Sequence, residues 1–256
     1  MMESQTIYPL TGFEHVEAWV FDLDNTLYPA DCHLFAEIDA RMGEFIAERF
    51  GVSQEEAQRM RKNYYYEYGT TLAGLMRLHK VCPNAFLEYV HDIDLSVIAP
   101  APELGQALDA LPGRKFIFTN GSRRHAESVI ARLGLDGRFD DVFDIRAADF
   151  IPKPERAAYE RFVGVHAIVS GRTAMFDDLP HNLRTAHGLG MTTVLVACGH
   201  TDHPEHRAIA GWGELPFHIH HRTDALAPFL AGIGGLRAAD GDRAEALTSG
   251  APCRLT

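Results

Sequence analysis

Two carboxylates one residue apart close the first apolar run of the chain: Ala18-Trp19-Val20-Phe21 leads into Asp22, then Asp24, Thr26 and Pro29. At a strand end, side chains two residues apart point to the same side, so these charges crowd each other unless a cation lies between them. A hard divalent ion such as Mg²⁺ takes oxygen ligands and relieves that repulsion. Taken alone, the pair reads equally well as a solvated turn, because Asp and Asn favour turns. What decides between the two is company. Thr119-Asn120-Gly121 closes a second apolar run, Asp177-Asp178 closes a later one, and Lys153 sits in Ile151-Pro152-Lys153-Pro154, just ahead of a helical stretch.

Collected at one rim, these residues suit a phosphate ester and a metal. Mg²⁺ held by Asp22, Asp178 and a backbone carbonyl at Asp24 would offset the repulsion between Asp22 and a phosphate dianion. Asp22 would attack phosphorus in line to give an aspartyl-phosphate. Asp24 would protonate the leaving alkoxide and later deprotonate the water that hydrolyses the intermediate. Thr119, Asn120 and Gly121 would hold phosphoryl oxygens at a helix N-terminus, and Lys153 would supply fixed positive charge to the transition state. Asp177 is expected to bind a metal-bound water or to orient Lys153, and Asn182 to brace that loop.

For these groups to meet, the elements must form an open α/β sheet, whose ligands bind outside the carboxyl ends of the strands. Strands are read at 18–24, 115–119, 141–145, 173–177, 192–197 and about 217–221. Between them lie helices at 103–111, 122–133, 154–163 and 180–188, with a last one at 224–231. Phe116-Ile117-Phe118 and Val194-Leu195-Val196 are apolar without alternation, as in strands covered on both faces. Strands alternating with helices give a doubly wound parallel sheet. Residues 31–99 break this rhythm. Phe35, Ile38, Met42, Phe45 and Ile46 recur at helical spacing, Gly51 stops that helix, and Ser53-x-x-Glu56 is a capping box opening the next. Gly69-Thr70-Thr71 breaks the pattern, Leu72, Leu75, Met76 and His79 indicate a third helix, and a short fourth is read at about 84–90. The organisation is therefore an α/β core (1–30 and 100–231), an all-helical insert (31–99), and a Gly/Ala-rich tail (232–256) read as loosely ordered.

Composition narrows the function classes. With 24 basic and 35 acidic residues the net charge is −11, which argues against binding a nucleic-acid polymer. No apolar run reaches the roughly 20 residues that span a bilayer, and the first residues carry no secretory pattern. Cys32, Cys82, Cys198 and Cys253 lack CxxC spacing and read as free thiols of a cytoplasmic protein. No homo-oligomer is indicated.

Phe21-Asp22-Leu23-Asp24-Asn25-Thr26, Phe118-Thr119-Asn120-Gly121, Pro152-Lys153-Pro154 and Phe176-Asp177-Asp178-Leu179-Pro180-His181-Asn182, in this order, resemble the four motifs of the haloacid-dehalogenase superfamily of phosphohydrolases. The match covers residues 18–230, and the insert resembles the superfamily's C1 cap. The resemblance implies Asp22 as nucleophile, Asp24 as acid/base, Thr119 and Lys153 as phosphate contacts, and Asp22, Asp24 and Asp178 at Mg²⁺. It weighs against dehalogenation, since dehalogenases of this fold lack the second carboxylate. Phosphomutase chemistry uses the same groups. The wording around Asp24 to Pro29, with Tyr68-Gly69-Thr70-Thr71 and Tyr89-Val90-His91-Asp92, is similar to bacterial pyrimidine 5′-nucleotidases. A small phosphorylated metabolite, a nucleotide first, is thus the expected partner. Sugar phosphates and phosphoglycolate are the alternative substrates, and a non-catalytic binding protein is the reading of another class.

Substrate choice would fall to the insert. Tyr64 and Tyr68 lie on its apolar stripe and are expected in its core. Tyr65 or Tyr66 could stack on a base, Thr70 and Thr71 could form a specificity turn, and His91 could reach ribose or base. Each of these has an ordinary alternative as packing, turn or linker. His200, His203 and His206, and His218, His220 and His221, cluster without cysteines at zinc spacing and are expected as solvated loop and edge histidines.

Overall fold

A computed structural model of the chain describes residues 11–197, 206, 209 and 212–235. The strands are β1 (Ala18–Phe21), β2 (Arg114–Phe118), β3 (Asp141–Phe143), β4 (Thr173–Asp177), β5 (Thr192–Val196) and β6 (His221–Thr223). They form one parallel sheet in the order β3-β2-β1-β4-β5-β6. The fold is α/β with a Rossmann-like core. Chain order reverses direction on either side of β1, so the crevice at its carboxyl end is where such sheets bind ligands.

The helices are α1 (Leu34–Phe50), α2 (Gln54–Tyr68), α3 (Thr71–His79), α4 (Pro83–Val90), α5 (Pro102–Ala110), α6 (Arg123–Leu133), α7 (Arg156–His166) and α8 (Pro180–Gly188). Alternate strand residues serve opposite layers. Trp19, Phe21, Ile117, Phe176 and Val194 pack under α5 and α6, with Leu104, Leu108, Val129 and Ile130. Val20, Phe116, Phe118, Met175 and Leu195 pack under α7 and α8, with Tyr159, Phe162 and Leu183. Phe21 and Phe176 stack across β1 and β4 at 4.7 Å. Burying each such aromatic side chain is worth roughly 1.5–3 kcal/mol.

Helices α1 to α4 have a separate core of Ile38, Ile46, Ala57, Tyr64, Leu72, Leu75, Phe86, Leu87 and Val90. Gly51, left-handed at φ +65°, ends α1, and the Ser53 side chain accepts from the Glu56 N–H to open α2. Tyr64 is buried, as its place on the stripe requires, and Tyr68 packs against the same cluster.

Several boundaries differ from the sequence reading. Strand 141–145 stops at Phe143 because Asp144 turns its carboxylate to the Arg123 and Ala147 N–H groups. Its polar side chain competes with the ladder for the backbone. The last strand lies at His221–Thr223 instead of 217–221, since Pro216 to Ile219 form a turn with the Ile219 N–H on the Pro216 carbonyl. The final helix runs over 226–235, so residues 232–235 belong to the packed core: Ile233 is buried and Gly234 lies against Ala110. Residues 236–256 lie outside the described residues. Cys32 and Cys82 are free thiols, while Cys198 and Cys253 fall outside the described residues. Among the described residues, no helix is long and apolar enough to cross a membrane.

Candidate active site

β1 delivers the first carboxylate directly. The Asp22 N–H still donates to the Phe176 carbonyl, continuing the ladder one residue past the strand, so Asp22 is aimed by the sheet itself. A tight turn follows, with the Leu27 N–H on the Leu23 carbonyl; Asn25, in the left-handed region that Asn tolerates, sits within it. β4 delivers Asp177 and Asp178, and the oxygens of Asp22, Asp177 and Asp178 lie within 4.8 Å of one another. All three residues are buried.

Lys153 enters this cluster from the loop ahead of α7. Its ammonium donates to Asp22 Oδ1 at 2.8 Å and to Asp177 Oδ2 at 2.7 Å, with the side chain 1% exposed. Burial alone would favour the neutral amine, but Asp177 and Asp22 outweigh it and push the lysine above its usual value. Two other elements hold the loop. The Asn120 amide donates to the Lys153 carbonyl (3.1 Å) and accepts from the Lys153 N–H (2.8 Å), and Thr185 donates to the Pro154 carbonyl. Both polar ends of the Asn120 side chain therefore bond to the backbone of Lys153, and Asn120 also lines the cavity above the rim.

Asp177 is the most heavily braced of the acids. It accepts from Lys153, from the Leu179 N–H, and from Asn182 through both carboxylate oxygens. Asp22 and Asp178 are different. Burial first, then the neighbouring carboxylates, pushes both well above the ordinary carboxylate range in spite of Lys153. One lysine thus leaves the acidic triad short of positive charge. An all-oxygen, buried, under-compensated donor set of this kind suits a hard divalent cation.

Asp24 faces elsewhere. Its Oδ1 accepts from the Tyr28 hydroxyl at 2.7 Å and lies 3.0 Å from His125 Nε2. A carboxylate only accepts, so that ring nitrogen carries its proton. Burial raises the Asp24 pKa, but the His125 charge interaction and hydrogen bond, with Tyr28, bring it below its ordinary value. The two acids of the first motif are thereby set apart by environment, one tied to Lys153 and the triad, the other to Tyr28 and His125.

β2 ends in Thr119, whose hydroxyl oxygen accepts from the Gly121 N–H at 2.9 Å and keeps its own proton to donate. A Cβ on Gly121 would stand 3.2 Å from Thr119 Oγ1, so the turn is tight against the rim. Ser122 caps α6 by accepting from the His125 N–H, which places a helix N-terminus beside Thr119.

Between this rim and α1 to α4 lies a cavity of about 1110 Å³. Asp22, Asp24, Thr119, Gly121, Lys153 and Asp178 line its floor, and Tyr65, Tyr66, Thr70, Thr71 and His91 line its walls. Thr70 also caps α3, accepting from the Ala73 N–H, and Thr71 is buried. Arg61 and Lys62 bring positive charge to the same wall. His91 stacks on the His125 ring.

His125, Tyr28 and His206 are absent from the sequence reading of the site. His125 stands three residues after the cap Ser122, at the first turn of the helix that opens on the rim, and that position was its readable signal. His206, expected as a solvated histidine, is instead buried with Nε2 2.8 Å from Asp178 Oδ2. His218 is also buried. His200 and His203 fall outside the described residues. Among those described, only Asp22, Asp177 and Asp178 gather as a metal-ligating group of three, so the histidines form no zinc cluster there.

Comparison with known proteins places the chain in a family. A relative from Saccharomyces cerevisiae, "Phosphate metabolism protein 8", is 27% identical over 197 residues, 70% of this chain. The chain spans 61% of that relative's length. CbbY from Rhodobacter sphaeroides, solved in complex with phosphate, superposes with a TM-score of 0.55 at 18% identity, covering 83% of this chain and 95% of that one. A HAD phosphatase from Thermococcus onnurineus superposes at 0.53 with 18% identity, covering 88% and 98%. Residues 16–190, well over half the chain and every motif on the rim, match the haloacid dehalogenase-like hydrolases, and the chain belongs to that family.

Proposed function

We propose that the protein is a Mg²⁺-dependent phosphomonoesterase working through an aspartyl-phosphate on Asp22, with a pyrimidine nucleoside 5′-monophosphate as its substrate. The observation that carries the reading is the separate placement of Asp24. A second carboxylate, held by Tyr28 and His125 away from the acidic triad, is what a leaving alkoxide needs and a leaving halide does not.

Asp22, Asp178 and the Asp24 carbonyl are the ligands proposed for Mg²⁺, with Asp177 orienting Lys153 beside them. The bound ion would supply positive charge to the phosphoryl oxygens and let neighbouring carboxylates ionise together. An Asp22 oxygen bonds to phosphorus as the ester P–O bond breaks, and Asp24 gives its proton to the departing oxygen. Asp24 is held as a carboxylate at rest. A phosphoryl dianion arriving beside it raises its proton affinity, so the acid is loaded only with substrate in place. In the second half, Asp24 takes a proton from water as that oxygen attacks phosphorus, freeing phosphate and Asp22. The Thr119 hydroxyl, the Gly121 turn and Lys153 hold the equatorial oxygens throughout.

For the substrate, the cavity of about 1110 Å³ is far larger than phosphoglycolate requires and accommodates a nucleoside. Tyr65 and Tyr66 offer ring faces on a wall that also carries Thr70 and Thr71. In this reading α1 to α4 are the cap. The test is phosphate release with Mg²⁺ from UMP, CMP, purine nucleotides, sugar phosphates and phosphoglycolate at equal concentration. UMP or CMP should lead; a sugar phosphate leading would replace the substrate, and turnover surviving Asp22→Asn would sink the mechanism.

A further inference from the structure

The supports of Asp24 come from three separate parts of the chain. Tyr28 is four residues on in the same turn, His125 is on α6, and behind His125 stands His91, the residue that ends α4. The His91 and His125 rings lie nearly parallel, 11° apart with centroids at 4.4 Å. Ser122 ties the pair together: its oxygen accepts from the His125 N–H, and it lies 3.0 Å from His91 Nδ1. Gly121 lies alongside this stack, within ordinary contact distance of both rings: a Cβ there would stand 3.6 Å from His125 and 3.7 Å from His91 Nε2.

His125 is 1% exposed in its side chain and touches Asp24 without joining the acidic triad. Its ring cannot swing away from Asp24 while His91 covers its face. His91, in turn, keeps that place only while α4 is seated on the core. The last turn of the helical insert is thus in mechanical contact with the acid that serves the leaving group.

We propose that His125 is a positioning residue for Asp24, and that His91 locks it, so that the general acid is aimed only when the helical insert is seated. This rests on the phosphatase reading above and gives that site a device for coupling substrate enclosure to proton transfer. A carboxylate held by two donors on one oxygen presents the other in a fixed direction. Without His125, Asp24 keeps only Tyr28 and can turn about it. His91 then acts on the leaving group through two rings and needs no contact with ribose or base.

Leaving-group dependence tests this. p-Nitrophenyl phosphate loses p-nitrophenolate, a stable anion that needs little proton donation, whereas UMP loses the 5′-alkoxide of uridine, which needs it fully. With wild-type turnover of both esters in Mg²⁺ as reference, His125→Ala should lower kcat for UMP by roughly 10²-fold, the size of a general-acid effect, with KM changed less than about twofold. Turnover of p-nitrophenyl phosphate should fall less than about threefold. His125→Gln, which keeps an N–H donor, should recover much of the UMP rate, and His91→Ala should show the same selective pattern at smaller size. Equal losses on both esters in the folded His125→Gln protein would overturn the proposal, as would a His91→Ala effect confined to KM. A wild-type protein that hydrolyses neither ester defeats the phosphatase reading and this assignment with it.

Discussion

Replacing Lys153 by Met keeps the stem of the side chain and removes the charge that the acidic triad relies on. The ammonium sits 2.8 Å from Asp22 and 2.7 Å from Asp177 with 1% of its side chain exposed. At an effective dielectric near 20 each contact carries about 6 kcal/mol of gross attraction, against a desolvation cost of several kcal/mol per ion. Removing one partner of a buried ion pair typically costs roughly 3–5 kcal/mol, and that is the expected loss at pH 7.5 in EDTA. The pH dependence has a definite sign. Without Lys153 the pKa values of Asp22 and Asp178, already raised, rise further. The folded protein then holds protons that the unfolded chain has released, and its stability falls as pH climbs from the ordinary carboxylate range through the raised values. The penalty should therefore shrink at pH 5, and Mg²⁺ should recover part of it at pH 7.5. Urea unfolding followed by tryptophan fluorescence, from Trp19 and Trp212, measures all three. A loss below about 1 kcal/mol at pH 7.5, or one that grows toward pH 5, would refute the electrostatic account of the site.

Wild-type protein in EDTA should lose stability from pH 5 to 8 for the same reason, and Mg²⁺ should raise its melting temperature at pH 8 far more than at pH 5; scanning calorimetry decides. Asn182→Ala leaves Asp177 short of donors on both oxygens and should cost about 1–3 kcal/mol, read by urea unfolding. Gly74→Ala drives a methyl to 2.5 Å from Tyr64 Cβ, forcing α2 and α3 apart; a cost of about 1–3 kcal/mol and a KM effect larger than the kcat effect should follow in steady-state kinetics.

The centre of the sheet was legible because β1, β2, β4 and β5 are covered on both faces and read as continuous apolar runs. The meeting of Asp22, Asp24, Thr119 and Asp178 at one rim was legible because each follows or closes an apolar run, and Lys153 joined them as the residue just ahead of a helical stretch. The losses have local causes. Asp144 ended β3 early by competing for backbone N–H groups, a choice that apolar periodicity does not record. The glycines of 232–235 looked like a tail, although Gly234 is there to let a helix approach Ala110. The motif that assigns Asn120 to phosphate does not record that its side chain also ties down the loop of Lys153. His125 and His206 reach the acids from positions distant in sequence; the first-turn place of His125 marked it as near the rim but did not name the carboxylate it would face.

The position of β1 also sets a schedule. Ala18 is made early, yet its neighbours in the sheet are Arg114 on one side and Thr173 on the other. Helices α1 to α4 need only each other for most of their core and can form as the chain emerges from the ribosome, N-terminus first. The sheet must wait, because closing such long loops is slow. Asp22 therefore meets Asp177 and Asp178 near the end of folding, after Lys153 has already been synthesised. The charge-crowded pocket is built last, onto partners already made, and the nascent chain is spared from carrying it exposed.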